Sequence, residues 1–271
     1  MMMTAFMILL VAAGTAAVAF LLRKGKQKSW KAGKRILSVL GIGMALLLAI
    51  CVVYVETYYR ALPETKDALT STETVKVGKI RNGYRFDGPG EETAIIFYPG
   101  GKVECEAYAP LLHELAERGQ DAFLIRMPLR LAFLGIDRAE AVMREYGYSR
   151  WYMMGHSLGG AMAAEYAGHH DAVSGIIFLA SYGTGRISEN QQVLSIYGSE
   201  DGVLNRANYE KAKANWPESA VEMVIPGGNH AGFGTYGPQQ GDHDGKMTAA
   251  EQQRITAEEI CRFIERTEVP K

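Results

Sequence analysis

From residue 75 to the C-terminus, short runs of β-branched and aromatic residues alternate with segments of helical period. That alternation narrows the fold to a mostly parallel sheet with helices on both faces, the α/β class. Strands are expected at 75–80, 84–86, 93–98, 122–125, 151–154, 176–180, 193–197 and 221–225. Asn82-Gly83 is expected to turn the first two strands into a hairpin. Tyr108, Leu111, Leu112 and Leu115 recur on one helical face and stop at Gly119. Further helices are expected at 137–146, 158–169, 205–215 and 249–265, the last with Ala257, Ile260, Cys261 and Ile264 in one apolar stripe.

The first 55 residues follow different rules. They hold apolar runs at 4–22 and 36–55, neither with a charge, and no Asp or Glu precedes Glu56. Seven cations, from Arg23 to Arg35, lie between the runs. Each run is long enough to cross about 30 Å of hydrocarbon as a helix. The basic loop should stay in the cytoplasm, which sends residues 56–271 outside the cell membrane. A cleaved signal peptide is the alternative for the first run, but a basic n-region is missing. Residues 56–74 are polar and contain Pro63, so they read as a linker to a domain spanning 75–271. Beyond the apolar segment the net charge is −8, with no basic stripe for a nucleic acid. Cys51, Cys105 and Cys261 read as free thiols, and no Cys/His spacing resembles a metal site.

Chemistry concentrates at Gly155-His156-Ser157-Leu158-Gly159, a G-x-S-x-G motif between the strand at 151–154 and the helix from 158. A nucleophile on such a turn is pushed out of the sheet, and glycines give room where strand and helix crowd together. The helix also aims its positive end at the site. A serine needs a base, and the base needs an orienting acid. Among six histidines, His230 directly follows the last expected strand, at the edge where an open α/β sheet places its site. His243 is the runner-up, in Gly241-Asp242-His243-Asp244-Gly245, a solvated loop or a fragment of a calcium motif. His113 reads as the polar side of a helix, and His156, His169 and His170 as surface or structural positions. Asp201 follows the strand at 193–197 and is favoured over its neighbour Glu200 as the acid. The segment 181–185 offers no carboxylate. Two backbone donors complete an oxyanion hole: Leu158, and Gly101 from Pro99-Gly100-Gly101-Lys102, with Lys102 as the alternative.

Together these segments resemble the α/β-hydrolase superfamily over roughly residues 90–267. The matching stretches are Gly155–Gly160, Tyr197-Gly198-Ser199-Glu200-Asp201 and Gly228-Asn229-His230. The likeness is strongest to small bacterial membrane-anchored hydrolases grouped with dienelactone hydrolases and lipase-like esterases. Dienelactone hydrolases use a cysteine where this chain has Ser157, and many relatives carry a histidine where it has Pro99. The resemblance implies hydrolysis of small carboxylic esters, thioesters or lactones through an acyl-enzyme, with Ser157, Asp201 and His230 as triad. Neither metal nor organic cofactor is required. About a dozen residues separate the strands at 176–180 and 193–197, too few for the helical lid that many relatives insert there, so the site should be open or shaped by loops such as 127–135. A peptidase or acyltransferase would use the same residues, and a membrane-anchored binding protein would keep the fold without the reaction.

Overall fold

The computed structural model describes residues 13–20, 23–24 and 32–268. The chain divides into two units, Met1–Tyr58 and Tyr59–Lys271. In the first, helix α1 spans Ala32–Glu56, which at 1.5 Å per residue is about 37 Å long. It is the one helix among the described residues long and apolar enough to cross a membrane, and none of its apolar window is buried within the protein. It contains the run expected at 36–55. Of the run expected at 4–22, residues 13–20 are helical, and 4–12 and 21–22 lie outside the described residues. Gly14 lies so close to Leu46 that a Cβ on it would stand 2.1 Å from Leu46 Cδ1.

The second unit is built on an eight-stranded sheet in the order β1-β2-β4-β3-β5-β6-β7-β8. The strands are β1 (Lys76–Ile80), β2 (Gly83–Asp87), β3 (Thr93–Tyr98), β4 (Asp121–Ile125), β5 (Arg150–His156), β6 (Val173–Leu179), β7 (Gln192–Gly198) and β8 (Val221–Ile225). Strands β3 to β8 are parallel, and β2 runs antiparallel to both neighbours. Residue pairing places the hairpin loop at Arg81-Asn82, one position before the expected dipeptide. Gly83 already belongs to β2, at φ 145°, and a Cβ there would collide with the Leu124 carbonyl.

Period-two alternation sorts each central strand between two cores. Ile95, Phe97, Tyr152, Met154, Leu194 and Ile196 face α2 (Ala109–Glu117) and α6 (Ala249–Glu268). There they meet Leu111, Leu112, Leu115 and the stripe Ala257, Ile260, Cys261 and Ile264. Ala94, Ile96, Tyr98, Trp151 and Met153 face α3 (Arg138–Glu145) and α4 (Leu158–Ala167). Each large apolar side chain buried this way contributes about 1.5–3 kcal/mol. Helix α5 (Arg206–Ala212) adds Tyr209 to a third, smaller cluster with Tyr197 and Leu204. Residues 180–191 join β6 to β7 without a helix.

Two expectations are corrected here. The second unit begins at Tyr59, not residue 75. Tyr59 bridges Val103, Leu62 N–H donates to Thr235 O at 3.0 Å, and a 3-10 helix at Pro63–Leu69 buries Thr65. Polar composition concealed this because the segment is held by backbone bonds and by only a few side chains, Tyr59, Ala61, Ala68 and Leu69, packed on the core. His113, expected on a polar face, is buried with its ring edge-on to Phe86. The three cysteines are free, Cys105 and Cys261 buried and Cys51 exposed on α1.

Candidate active site

The site lies at the carboxyl ends of β5, β7 and β8, where the backbone leaves the sheet. Ser157 joins β5 to α4 at φ 51° and ψ −124°, a conformation that costs a non-glycine residue about 1–3 kcal/mol. Close packing maintains it. Ser157 N–H donates to Leu179 O at 3.0 Å, and Ser181 Oγ donates to Ser157 O at 2.6 Å. A Cβ on Gly159 would stand 2.0 Å from Tyr98 O, so only glycine lets α4 begin this close to β3.

His230 and Asp201 come from different loops and meet in a dry environment. His230 Nδ1 is 2.9 Å from Asp201 Oδ2, and both side chains are buried. The other carboxylate oxygen, Oδ1, accepts the N–H groups of Val203 and Leu204, each at 2.8 Å. Burial pushes the Asp201 carboxyl up, but the hydrogen bond and charge of His230 and those two N–H groups outweigh it. The carboxyl is held below its ordinary range. His230 Nε2 is buried with no hydrogen-bond partner, and His230 and Ser157 line the same cavity of about 260 Å³. Leu158, Ala161, Tyr182, Thr184, Leu204 and Asn205 also line it.

The alternatives separate cleanly. Glu200 turns away and pairs with Lys246 Nζ at 2.7 Å. His243 is exposed, and its carbonyl accepts from Asn229. The Lys102 N–H donates to Arg130 O at 2.8 Å, so it is already used. Gly101 lies against Leu158, where a Cβ on it would come 3.0 Å from Leu158 Cδ2. The residues named from sequence, Ser157, Asp201, His230, Leu158 and Gly101, thus gather at one end of the sheet.

The comparisons with known proteins follow this geometry. The model of the alpha/beta hydrolase family matches residues 94–254. The chain belongs to the alpha/beta hydrolase family. It is therefore an enzyme of the hydrolase class, as its Gly-x-Ser-x-Gly turn predicts. Among solved structures, ferulic acid esterase from Streptomyces cinnamoneus is 19% identical with a TM-score of 0.55, over 68% of this chain and 70% of that one. Protein TT1662 from Thermus thermophilus is 16% identical with a TM-score of 0.52, over 72% and 99%. An esterase of Mycobacterium tuberculosis is 11% identical with a TM-score of 0.52, over 74% and 96%. At these identities the likeness is one of fold. A search among curated proteins finds no match.

Sequence reading missed the supports of this hydrolase site. Tyr108 Oη accepts the Gly100 N–H at 3.2 Å and lies 2.8 Å from His156 Nδ1. The His156 ring stands 4.5 Å from that of His230. Burial, then the charge of His230, holds the His156 imidazole well below its ordinary range, which keeps it neutral. By its spacing Tyr108 reads as one more residue of an apolar helical stripe. No local pattern says that its hydroxyl reaches the glycine loop.

Proposed function

We propose that this enzyme hydrolyses small, uncharged carboxylic esters, thioesters or lactones through an acyl-enzyme on Ser157. His230 takes the serine proton and returns it to the leaving group. Asp201 keeps the imidazole proton on Nδ1 and so leaves Nε2 as the base. Leu158 and Gly101 N–H groups stabilise the oxyanion, each donor supplying about 3 kcal/mol of the barrier reduction. The observation that carries this reading is the buried Asp201–His230 pair, whose Nε2 has no hydrogen-bond partner and whose histidine lines a cavity shared with Ser157.

The cavity supports the substrate class. It is about 260 Å³ in volume, and among the described residues no Lys, Arg, Asp or Glu lines it. A short neutral acyl group fits such a space, whereas a charged one would lack a counter-ion. The apolar helix α1, with Gly14 packed on Leu46, supports a membrane-anchored enzyme whose cations at 23–35 stay cytoplasmic and whose catalytic unit lies outside.

The test is activity-based labelling of the full chain with a fluorophosphonate, beside a panel of p-nitrophenyl esters, peptides and acyl acceptors. Labelling and short-chain ester turnover are expected in the wild type, and both should fall at least about 10⁴-fold in Ser157→Ala. Labelling that persists in that variant overturns the nucleophile. Turnover of peptides or acceptors in place of esters overturns the substrate class.

A further inference from the structure

The loop Gly241-Asp242-His243-Asp244-Gly245, whose acidic residues suggested a solvated turn or a calcium fragment, has a different use. Asp242 is half-buried and spends both carboxylate oxygens on backbone donors. Oδ1 accepts from Gly202 N–H at 3.0 Å and from His243 N–H at 3.0 Å. Oδ2 accepts from Ala231 N–H at 2.8 Å. Gly202 directly follows Asp201, and Ala231 directly follows His230. One side chain therefore bridges the acid loop and the histidine loop, each within one residue of the group that matters.

We infer that Asp242 is a positioning residue that holds Asp201 and His230 in register from a third loop, beyond the direct bonds of Glu200 N–H to Gly228 O at 2.8 Å and Gly227 N–H to Ser199 Oγ at 2.8 Å that already join their two loops. This rests on the triad reading above. The physical case is the charge on the bridge and the shortness of its lever. A carboxylate accepting N–H groups makes stronger, shorter bonds than a neutral acceptor, and here it makes three. The peptide planes it grips are those that set the Cα positions of Asp201 and His230, so a slip passes directly into the 2.9 Å contact between them. Packing reinforces the bridge on the Gly202 side, where a Cβ would meet Gly241 O at 2.6 Å. At the other side, Asn229 Oδ1 accepts Gly232 N–H at 2.9 Å within the histidine loop, and Asn229 Nδ2 donates to His243 O at 2.8 Å, a second tie from that loop to the one that carries Asp242. Among the described residues no cluster suited to a metal occurs, and these three donors account for both Asp242 oxygens.

The experiment compares Asp242→Ala, Asp242→Asn and the control His243→Ala in the full chain held in detergent micelles. kcat should fall about 10²-fold in Asp242→Ala, the cost of a displacement near 1 Å at reacting groups, with KM little changed. Asp242→Asn keeps one oxygen acceptor and should lose about tenfold. His243→Ala keeps the backbone donor and should match the wild type. Two further readouts separate positioning from simple instability. The low-field proton resonance of the His230 Nδ1–H···Asp201 bond should broaden or disappear in Asp242→Ala while far-UV circular dichroism is unchanged. Turnover per folded molecule, with the folded fraction counted by circular dichroism, should show the same loss. An unchanged resonance overturns the inference, as does a loss of kcat that only tracks the folded fraction. If the wild type turns over no ester but the resonance still responds to Asp242→Ala, the bridge stands and the hydrolytic reading falls.

Discussion

Asp201 and Asp121 are both buried carboxylates, placed at opposite ends of the same sheet and given different company. Asp121 opens β4 at the amino ends of the parallel strands. It accepts Gly88 N–H at 2.8 Å, the Tyr148 hydroxyl, and a long contact of 3.4 Å from Arg85. Asp201 stands at the carboxyl ends, with two backbone N–H groups and one imidazole. Burial raises the Asp121 carboxyl above its ordinary range despite those hydrogen bonds, with the nearby Asp87 charge adding to it. At Asp201 the donors win and the carboxyl is lowered. The lesson concerns what lies beyond the carboxylate. The partners of Asp121 are a guanidinium and a phenol that stay protonated, whereas Asp201 holds the imidazole of a histidine that lines the serine's cavity. The larger cavity, about 510 Å³, adjoins Asp121, so volume alone points away from the chemistry.

The sharpest way to break this comparison is to neutralise each acid in turn. Asp201→Asn should lower kcat about 10⁴-fold, because an amide favours the wrong imidazole tautomer. Asp121→Asn should leave kcat per folded molecule within a few-fold of wild type. Equal losses in ester turnover at the two positions would end the distinction.

Acid unfolding sharpens it by sign. Asp201 has its folded pKa below the unfolded value, so its stabilisation is full above the unfolded pKa and is lost as pH falls through the folded one. Asp121 has its folded pKa above the unfolded value, so its contribution is full below the unfolded pKa and is lost as pH rises through the folded one. Thermal midpoints measured between about pH 3 and pH 7 should show the wild type losing stability on acidification relative to Asp201→Asn. Against Asp121→Asn, the wild type should gain. Differences of the same sign would mean that one of the two environments is misread.

The smallest expected effect is at Tyr148. Tyr148→Phe removes one donor from Asp121 and should cost about 1–2 kcal/mol of stability by chemical denaturation, with no change in kcat. A change in kcat would connect the two ends of the sheet and undo the contrast.

Much of this was legible from residues alone because it depends on local period and order. The two-residue alternation in β3 and β5 assigns side chains to opposite cores, and the Ser157 turn announces itself by glycines that strand and helix crowding requires. Ser157, Asp201 and His230 each sit just past an apolar run, so their shared end of the sheet followed from topology. Residues 59–74 did not follow, since their anchoring combines main-chain bonds with a few scattered side chains, Tyr59, Ala61, Ala68 and Leu69, whose partners composition does not encode. Nor did the burial of His113, which depends on what packs against its helix.

The sequence by itself determined that a charge-free apolar run at 36–55 precedes an α/β-hydrolase domain, and which serine, acid and histidine stand in order within it. Choices between neighbours fell to the tertiary structure. Glu200 is claimed by Lys246 and the Lys102 amide by Arg130, which leaves Asp201 facing His230 and Gly101 beside Leu158. Asp242, the bridge between the two loops, is the furthest from prediction. The physical reason is the same throughout: period and spacing act along the chain, whereas a hydrogen bond selects among donors and acceptors that only folding brings within 3 Å of each other.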